Sequence, residues 1–226
     1  MSKRALVLVE GQTEERFVKD VLAPALVQRN LDLRPTVLVT KRVKNGPNFK
    51  GGVTKFAKFE ADVRRLLHDS GNALVTTLLD SYGLPGDFPG MATRPASSPL
   101  QRVRYVESAV SRYFKNPKNF LPFFALHEFE AWLFASREEL PKALARTEKQ
   151  PQFAAIRDSV VTPEDINERS EWAPSKRIAK LFPGYRKTLH GPTVAGRIGL
   201  ERIRAECAHF DWWLGQLEAY AAEELA

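Results

Sequence analysis

Ala5-Leu-Val-Leu-Val-Glu10-Gly-Gln-Thr-Glu14-Glu15-Arg-Phe17 is the stretch that decides the fold. Five apolar residues without a polar break suit a strand buried on both faces, as in the middle of a parallel sheet. Gly11 lets the chain turn sharply, Thr13 is a candidate helix cap, and Glu14 and Glu15 fall in a first helical turn, where negative charge is favoured. Glu10 then stands at the carboxyl end of a strand, where open α/β sheets bind their ligands. Glu14 lies one turn up the helix on the same side. The plainer alternative makes Glu10 a solvated loop residue and Glu14 and Glu15 ordinary first-turn acids.

Working outward, periodicity predicts a strand at 4–9, a helix at 13–29, a second strand at 36–43 and a helix at 53–69 with Val53, Phe56, Phe59, Val63, Leu66 and Leu67 at helical spacing. Ala73-Leu-Val-Thr-Thr-Leu-Leu79 is another buried-type strand and runs into Asp80. Residues 81–99 read as a long loop, rich in proline and glycine, leaving the carboxyl edge of the sheet. A helix at 100–114 precedes a fourth strand, Phe120 to Leu126, with Pro122 near its start. That strand leads straight into His127-Glu128-Phe129-Glu130, the acidic first turn of a further helix. Strands alternating with helices imply βαβ units and a mostly parallel sheet, so the fold class expected is α/β. Beyond residue 136 only short helices and turns are expected. Ser175 is a candidate cap for a helix carrying Lys176, Arg177 and Lys180, and Pro192 is read as the start of another. The division expected is an α/β domain over 1–135 and a helical extension over 136–226.

Length and composition narrow the partners. The chain has 226 residues, 43% of them hydrophobic, and a single cysteine, so it can bury a core without a disulfide framework. No Cys/His cluster has zinc spacing. No signal-peptide pattern and no apolar run long enough to span a bilayer is found, which points to a cytoplasmic protein without a membrane partner. Thirty-four Lys and Arg against 27 Asp and Glu give a net charge of +7, which suits an anionic partner such as nucleic acid. Lys41, Arg42, Lys44 and Lys50, interspersed with glycine and lacking a nearby acid, form a loop suited to phosphates.

Carboxylates at the ends of adjacent parallel strands converge, and converging like charges are unfavourable unless a cation neutralises them. Mg2+ or Mn2+ is the natural candidate, with oxygen ligands and phosphate completing its shell. Strand-Glu10-Gly11 followed by strand-Asp80 resembles the Toprim fold. Val9-Glu-Gly-Gln-Thr-Glu-Glu15, Leu78-Leu-Asp-Ser-Tyr-Gly-Leu-Pro85, His127-Glu-Phe-Glu-Ala131 and Ala173-Pro-Ser-Lys-Arg-Ile178 together resemble a bacterial Toprim-like family of domains of unknown function, related to the nucleases of the overcoming-lysogenization-defect class. The likeness spans nearly the whole chain. It implies a Toprim-like sheet, a Mg2+- or Mn2+-dependent nuclease acting on DNA or RNA, and an ATPase partner in defence against phage. It also implies metal binding by Glu10, Asp80 and Glu14.

One departure stands out. The Asp-x-Asp of Toprim proteins is here Asp80-Ser81-Tyr82, so the second aspartate is missing. Asp87, or Glu128 and Glu130, are the candidates to supply its oxygens, and Glu128 is favoured because it leaves the sheet edge directly. Otherwise the chain is a catalytically degenerate binding or regulatory subunit. Lys176 is the candidate to neutralise charge developing on a scissile phosphate and Arg177 the candidate nucleic-acid contact, against the alternative that both are solvated. His127 is either a structural histidine or a proton-transfer group.

Overall fold

The computed structural model describes residues 2–41, 49–50, 55–166 and 172–223. Its centre is a parallel sheet in which β1 (Lys3–Val9) lies between β2 (Leu31–Val37) and β5 (Leu74–Asp80). The far side of β5 carries two short strands, β6 (Phe120–Leu121) and β7 (Phe124–Ala125). A separate antiparallel pair, β3 (Val39–Lys41) and β4 (Phe49–Lys50), follows β2. The α/β class, with a mostly parallel sheet flanked by helices and a helical C-terminal region, is therefore the observed one.

Alternation along the strands sends side chains to two cores. Ala5, Val7, Val9, Leu74 and Leu78 pack with Phe17, Phe129, Trp132, Phe210 and Trp213 on one face. Leu8, Val75 and Leu79 pack on the other, against α3 (Phe56–Asp69) and α4 (Pro99–Tyr113). Asp80 shares the parity of Leu74 and Leu78, so it belongs to the face covered by the C-terminal helices.

Several boundaries differ from the sequence expectation. The second strand occupies 31–37 rather than 36–43. Leu31 and Leu33 are buried in alternation, but Asp32, Arg34 and Pro35 disguise the pattern; Pro35 is tolerated because β2 is an edge strand. The strand expected over 120–126 is split at Pro122, which has no N–H to donate. Thr77 fills the break: its hydroxyl donates to Phe123 O at 2.7 Å and accepts from Phe123 N at 2.8 Å. The acidic turn after it opens a buried 3-10 helix, Phe129–Ala135.

The first helical run passes from α1 (Gln12–Phe17) through a π-turn at Val18–Leu22 into α2 (Ala23–Val27). Beyond the sheet come α5 (Glu139–Ala143), α6 (Gln150–Asp158), α7 (Pro174–Leu181), α8 (Lys187–Ile198), α9 (Leu200–Glu206) and α10 (Ala208–Ala222). Pro192 lies inside α8 rather than at its start. A proline there leaves the carbonyl four residues earlier without its helical donor. That carbonyl, Thr188 O, accepts from Arg16 Nη1 at 2.8 Å, so the break becomes a tie between α8 and α1. Gly191 makes the same contact close: a Cβ there would lie 3.0 Å from Phe129 Cε1 and 3.3 Å from Thr13 Cγ2. Among the described residues no helix is long and apolar enough to cross a membrane.

Candidate functional site

Because β1, β5 and β7 are parallel, their carboxyl ends share one edge, and each is followed at once by an acid or a loop that carries one. Glu10 follows β1, and its Oε2 accepts the backbone N–H of Asp80 at 3.0 Å. Asp80 ends β5, and its Oδ1 accepts from Phe129 N at 2.9 Å. Glu14 reaches back from α1 to accept from Gly11 N at 2.9 Å, capping the start of its own helix. Glu128 and Glu130 enter after β7. Oxygens of Asp80, Glu128 and Glu130 lie within 4.8 Å of one another.

The loops after β5 and β7 hold each other in place. His127 N donates to Ser81 Oγ at 2.9 Å, and Tyr82 N donates to His127 O at 3.2 Å. His127 itself adopts φ of +68°, a left-handed conformation that a residue with a Cβ adopts at some cost. That turn lets Glu128 and Glu130 double back toward Asp80. Burial, then the nearby Arg102, push the His127 imidazole down to about 4, so it is neutral at pH 7, and its buried Nε2 has no partner among the described residues.

The C-terminal helices supply the other wall. Ser175 N donates to Glu128 Oε2 at 3.0 Å; Ser175 is buried in the first turn of α7, whose cap position is Ala173, so the expected capping role of Ser175 is not the observed one. Lys187, at the start of α8, reaches Glu128 Oε1 at 3.4 Å and Glu130 Oε2 at 3.3 Å. Tyr185 donates its hydroxyl to Glu130 Oε1 at 3.4 Å.

The electrostatics are those of crowded, desolvated acids. Burial, with repulsion from Glu10, Glu14, Glu128 and Glu130 added, raises several carboxyls. Glu14 goes from its ordinary 4.5 to about 7, through burial and then the charges of Glu10 and Glu130. Asp80 is held well above the aspartate range by burial and then by Glu10, Glu14 and Glu130; its carboxyl is enclosed although the residue as a whole is partly exposed. Glu10 and Glu130 are raised, first by burial and then by Glu128. For Lys187, burial disfavours the charge, but Glu130, Glu128 and Asp80 outweigh it and raise the ammonium above the ordinary lysine range.

The five carboxylates singled out from sequence, Glu10, Glu14, Asp80, Glu128 and Glu130, are thus brought together. Other candidates are placed elsewhere. Asp87 accepts from Phe56 N with both oxygens, at 3.1 Å each, and so caps α3. Lys176 is exposed on α7, and Arg177 donates to Trp172 O and lies over the Trp172 ring. The lysine that touches the acids is Lys187, which the sequence reading missed; it sits in no motif, and α8 had been expected to begin five residues later. Of the basic-loop candidates, Arg42 and Lys44 lie outside the described residues, as do the side chains of Lys41 and Lys50.

All-oxygen donors, buried and of one sign, are the set that suits a hard divalent cation such as Mg2+ or Mn2+. Among the described residues five carboxyl groups stand with one ammonium, that of Lys187, so the donor set fits such an ion.

None of the curated proteins matches the sequence. Among solved structures, the C-terminal region of the Xanthomonas campestris pv. campestris OLD protein is similar over 96% of this chain and 97% of that one, at 16% sequence identity and a TM-score of 0.40. A family model described as a domain of unknown function matches residues 9–218, nearly the whole length, and the chain therefore belongs to the DUF4276 family.

Proposed function

We propose that this protein is a Mg2+- or Mn2+-dependent nuclease that hydrolyses phosphodiester bonds in DNA or RNA, with a Toprim-like acidic site at the carboxyl edge of its sheet. The observation that carries this reading is the crowding of desolvated carboxyl groups at one point: Asp80, Glu128 and Glu130 with oxygens within 4.8 Å, and Glu10 and Glu14 interacting electrostatically with them. Such repulsion persists in a fold when binding a cation offsets it. The four motifs in order, and a net charge of +7 around an acidic centre, favour a phosphate-bearing polymer over a small anion.

Glu10, Glu14, Asp80, Glu128 and Glu130 would hold the ion. When bound, it would polarise the phosphate and lower the pKa of water for attack. Glu10 Oε2 is taken up by the Asp80 N–H and Asp80 Oδ1 by the Phe129 N–H, so Glu10 Oε1 and Asp80 Oδ2 are the oxygens left to be presented at a set spacing. Lys187 offers its ammonium to a phosphate oxygen, neutralising charge that develops there. Tyr185 and Ser175 N orient Glu130 and Glu128. His127 is neutral and adjoins Glu128 in the chain, and its enclosed Nε2 has no hydrogen-bond partner among the described residues. An ATPase partner and a role in phage defence rest on the motif resemblance.

One observation favours a second reading. Tyr82 stands where a second aspartate is expected, and both Glu128 oxygens already have partners, Ser175 N and Lys187. A binding subunit that does not cut would have this appearance. Cleavage of a panel of single- and double-stranded DNA and RNA, with Mg2+, Mn2+ or chelator, separates the two: ion-dependent cutting abolished by Asp80→Asn supports the nuclease, and absence of cutting on every substrate favours the binding subunit.

A further inference from the structure

The proposed hydrolytic chemistry uses the acids and Lys187, but leaves unexplained two exposed aromatic residues whose backbones lie close in the chain to groups bound to Glu128 or its neighbour. Trp172 is 53% exposed and Tyr82 is 50% exposed. Both are tied to Glu128 through backbone. Tyr82 N donates to His127 O, next to Glu128 in the chain. Ser175, whose N–H binds Glu128 Oε2, is three residues from Trp172, a reach of at most about 11 Å between Cα atoms.

Trp172 is also held from one side. Arg177 Nε donates to Trp172 O at 2.9 Å, and the guanidinium carbon lies 4.8 Å from the ring centroid. A guanidinium on one face of an indole, with the ring still half open to solvent, makes a platform for a flat aromatic group. Lys176 and Lys180 are exposed on the same short helix, so the surface around that platform is cationic. Flat aromatic groups on a polyanionic backbone are nucleobases. In a duplex they are stacked on one another and offer no free face, so the complementary ligand is a strand with unpaired bases.

We propose that Trp172, backed by Arg177, and Tyr82 form a stacking subsite for unpaired nucleobases of single-stranded DNA or RNA, on either side of the acidic centre. This rests on the phosphodiesterase reading and specifies its substrate. Lys176 and Lys180 contact phosphates, and the rings supply a strand preference that charge alone does not give.

The test is binding of labelled (dT)15, (rU)15 and a 15-base-pair DNA duplex, read by fluorescence anisotropy in chelator so that nothing is cut. Wild type should bind the single strands at least about tenfold tighter than the duplex. Trp172→Ala should weaken single-strand binding by roughly 5- to 150-fold, the effect of losing one stacked base, with little change for the duplex. Trp172→Phe should restore most of it, and Tyr82→Ala should act in the same direction. A difference between (dT)15 and (rU)15 identifies the sugar preferred. Equal affinity of wild type for single strands and duplex, or of Trp172→Ala and wild type for single strands, overturns the stacking subsite while leaving metal-dependent cleavage standing. Failure of wild type to bind any of the three overturns the stacking subsite, and the cleavage panel with metal then decides the nuclease reading separately.

Discussion

Glu10 Oε2 accepts the backbone N–H of Asp80 at 3.0 Å, so the carboxylate ending one strand anchors the backbone of the next. The contact joins two roles that substitution can separate. Gln at position 10 keeps an oxygen able to accept that N–H but removes the charge. Glu10→Gln should therefore fold, and in chelator its melting temperature should equal or exceed that of wild type, because repulsion among buried acids falls. Glu10→Ala, which leaves the Asp80 N–H without its acceptor, should melt lower than Glu10→Gln. Thermal unfolding by circular dichroism in chelator measures both; a Gln variant as unstable as the Ala variant would show the oxygen to be irrelevant.

The raised carboxyls set a pH dependence. Glu14 has a folded value of about 7 against an ordinary 4.5, so the folded state holds its proton more tightly. Its stabilising contribution is complete below about pH 4.5 and is lost as pH rises through about 7. Asp80, raised in the same direction, adds to the trend. Metal-free protein should melt higher at pH 6 than at pH 8, and Glu14→Gln should flatten that slope. A melting temperature that rises from pH 6 to pH 8 in chelator would contradict the electrostatics described.

Lys187 is the cation bound to Glu128 and Glu130. Lys187→Ala should lower stability in chelator at neutral pH, with part of the loss recovered at pH 6, and should reduce cleavage. Lys176→Ala, a change on an exposed face, should leave metal-free stability within about 0.5 kcal/mol of wild type. Paired denaturant titrations compare the two; equal effects would remove the distinction between them.

Close packing of α8 on α1 depends on Gly191. A Cβ there would press on Phe129 Cε1 and Thr13 Cγ2, so Gly191→Ala should destabilise by about 1–3 kcal/mol despite alanine's better helix propensity. Urea unfolding gives the value, and a stabilised variant would mean that α8 shifts without cost.

The sheet and its acidic edge were legible because both are local: an unbroken Ala/Leu/Val run ending at Glu10, and a run broken only by Thr76 and Thr77 ending at Asp80, give strand, end and side chain in one reading. The edge strand at 31–37 was not, because charges and Pro35 on a half-exposed strand imitate a loop. Lys187 was not, because its place is set by how α8 docks, and that docking depends on Gly191 and on the Arg16 contact to Thr188 O, neither visible in local periodicity. His127 carried no sequence signal for its positive φ, since that conformation answers to the loop braces at Ser81 and Tyr82.

The central claim, that these acids bind a divalent cation, is tested most directly by thermal unfolding of wild type and Asp80→Asn across a Mn2+ titration at pH 7.5. A ligand specific to the native state stabilises it by about 2.7 kcal/mol at roughly 100-fold excess over Kd, a rise of roughly 5–10 °C for a chain of this size. Wild type should show that rise, and Asp80→Asn should show little of it while melting no lower than wild type in chelator. A wild type with no Mn2+-dependent shift, together with an Asp80→Asn variant that melts well below it in chelator, would show that the carboxylates serve the fold and not an ion.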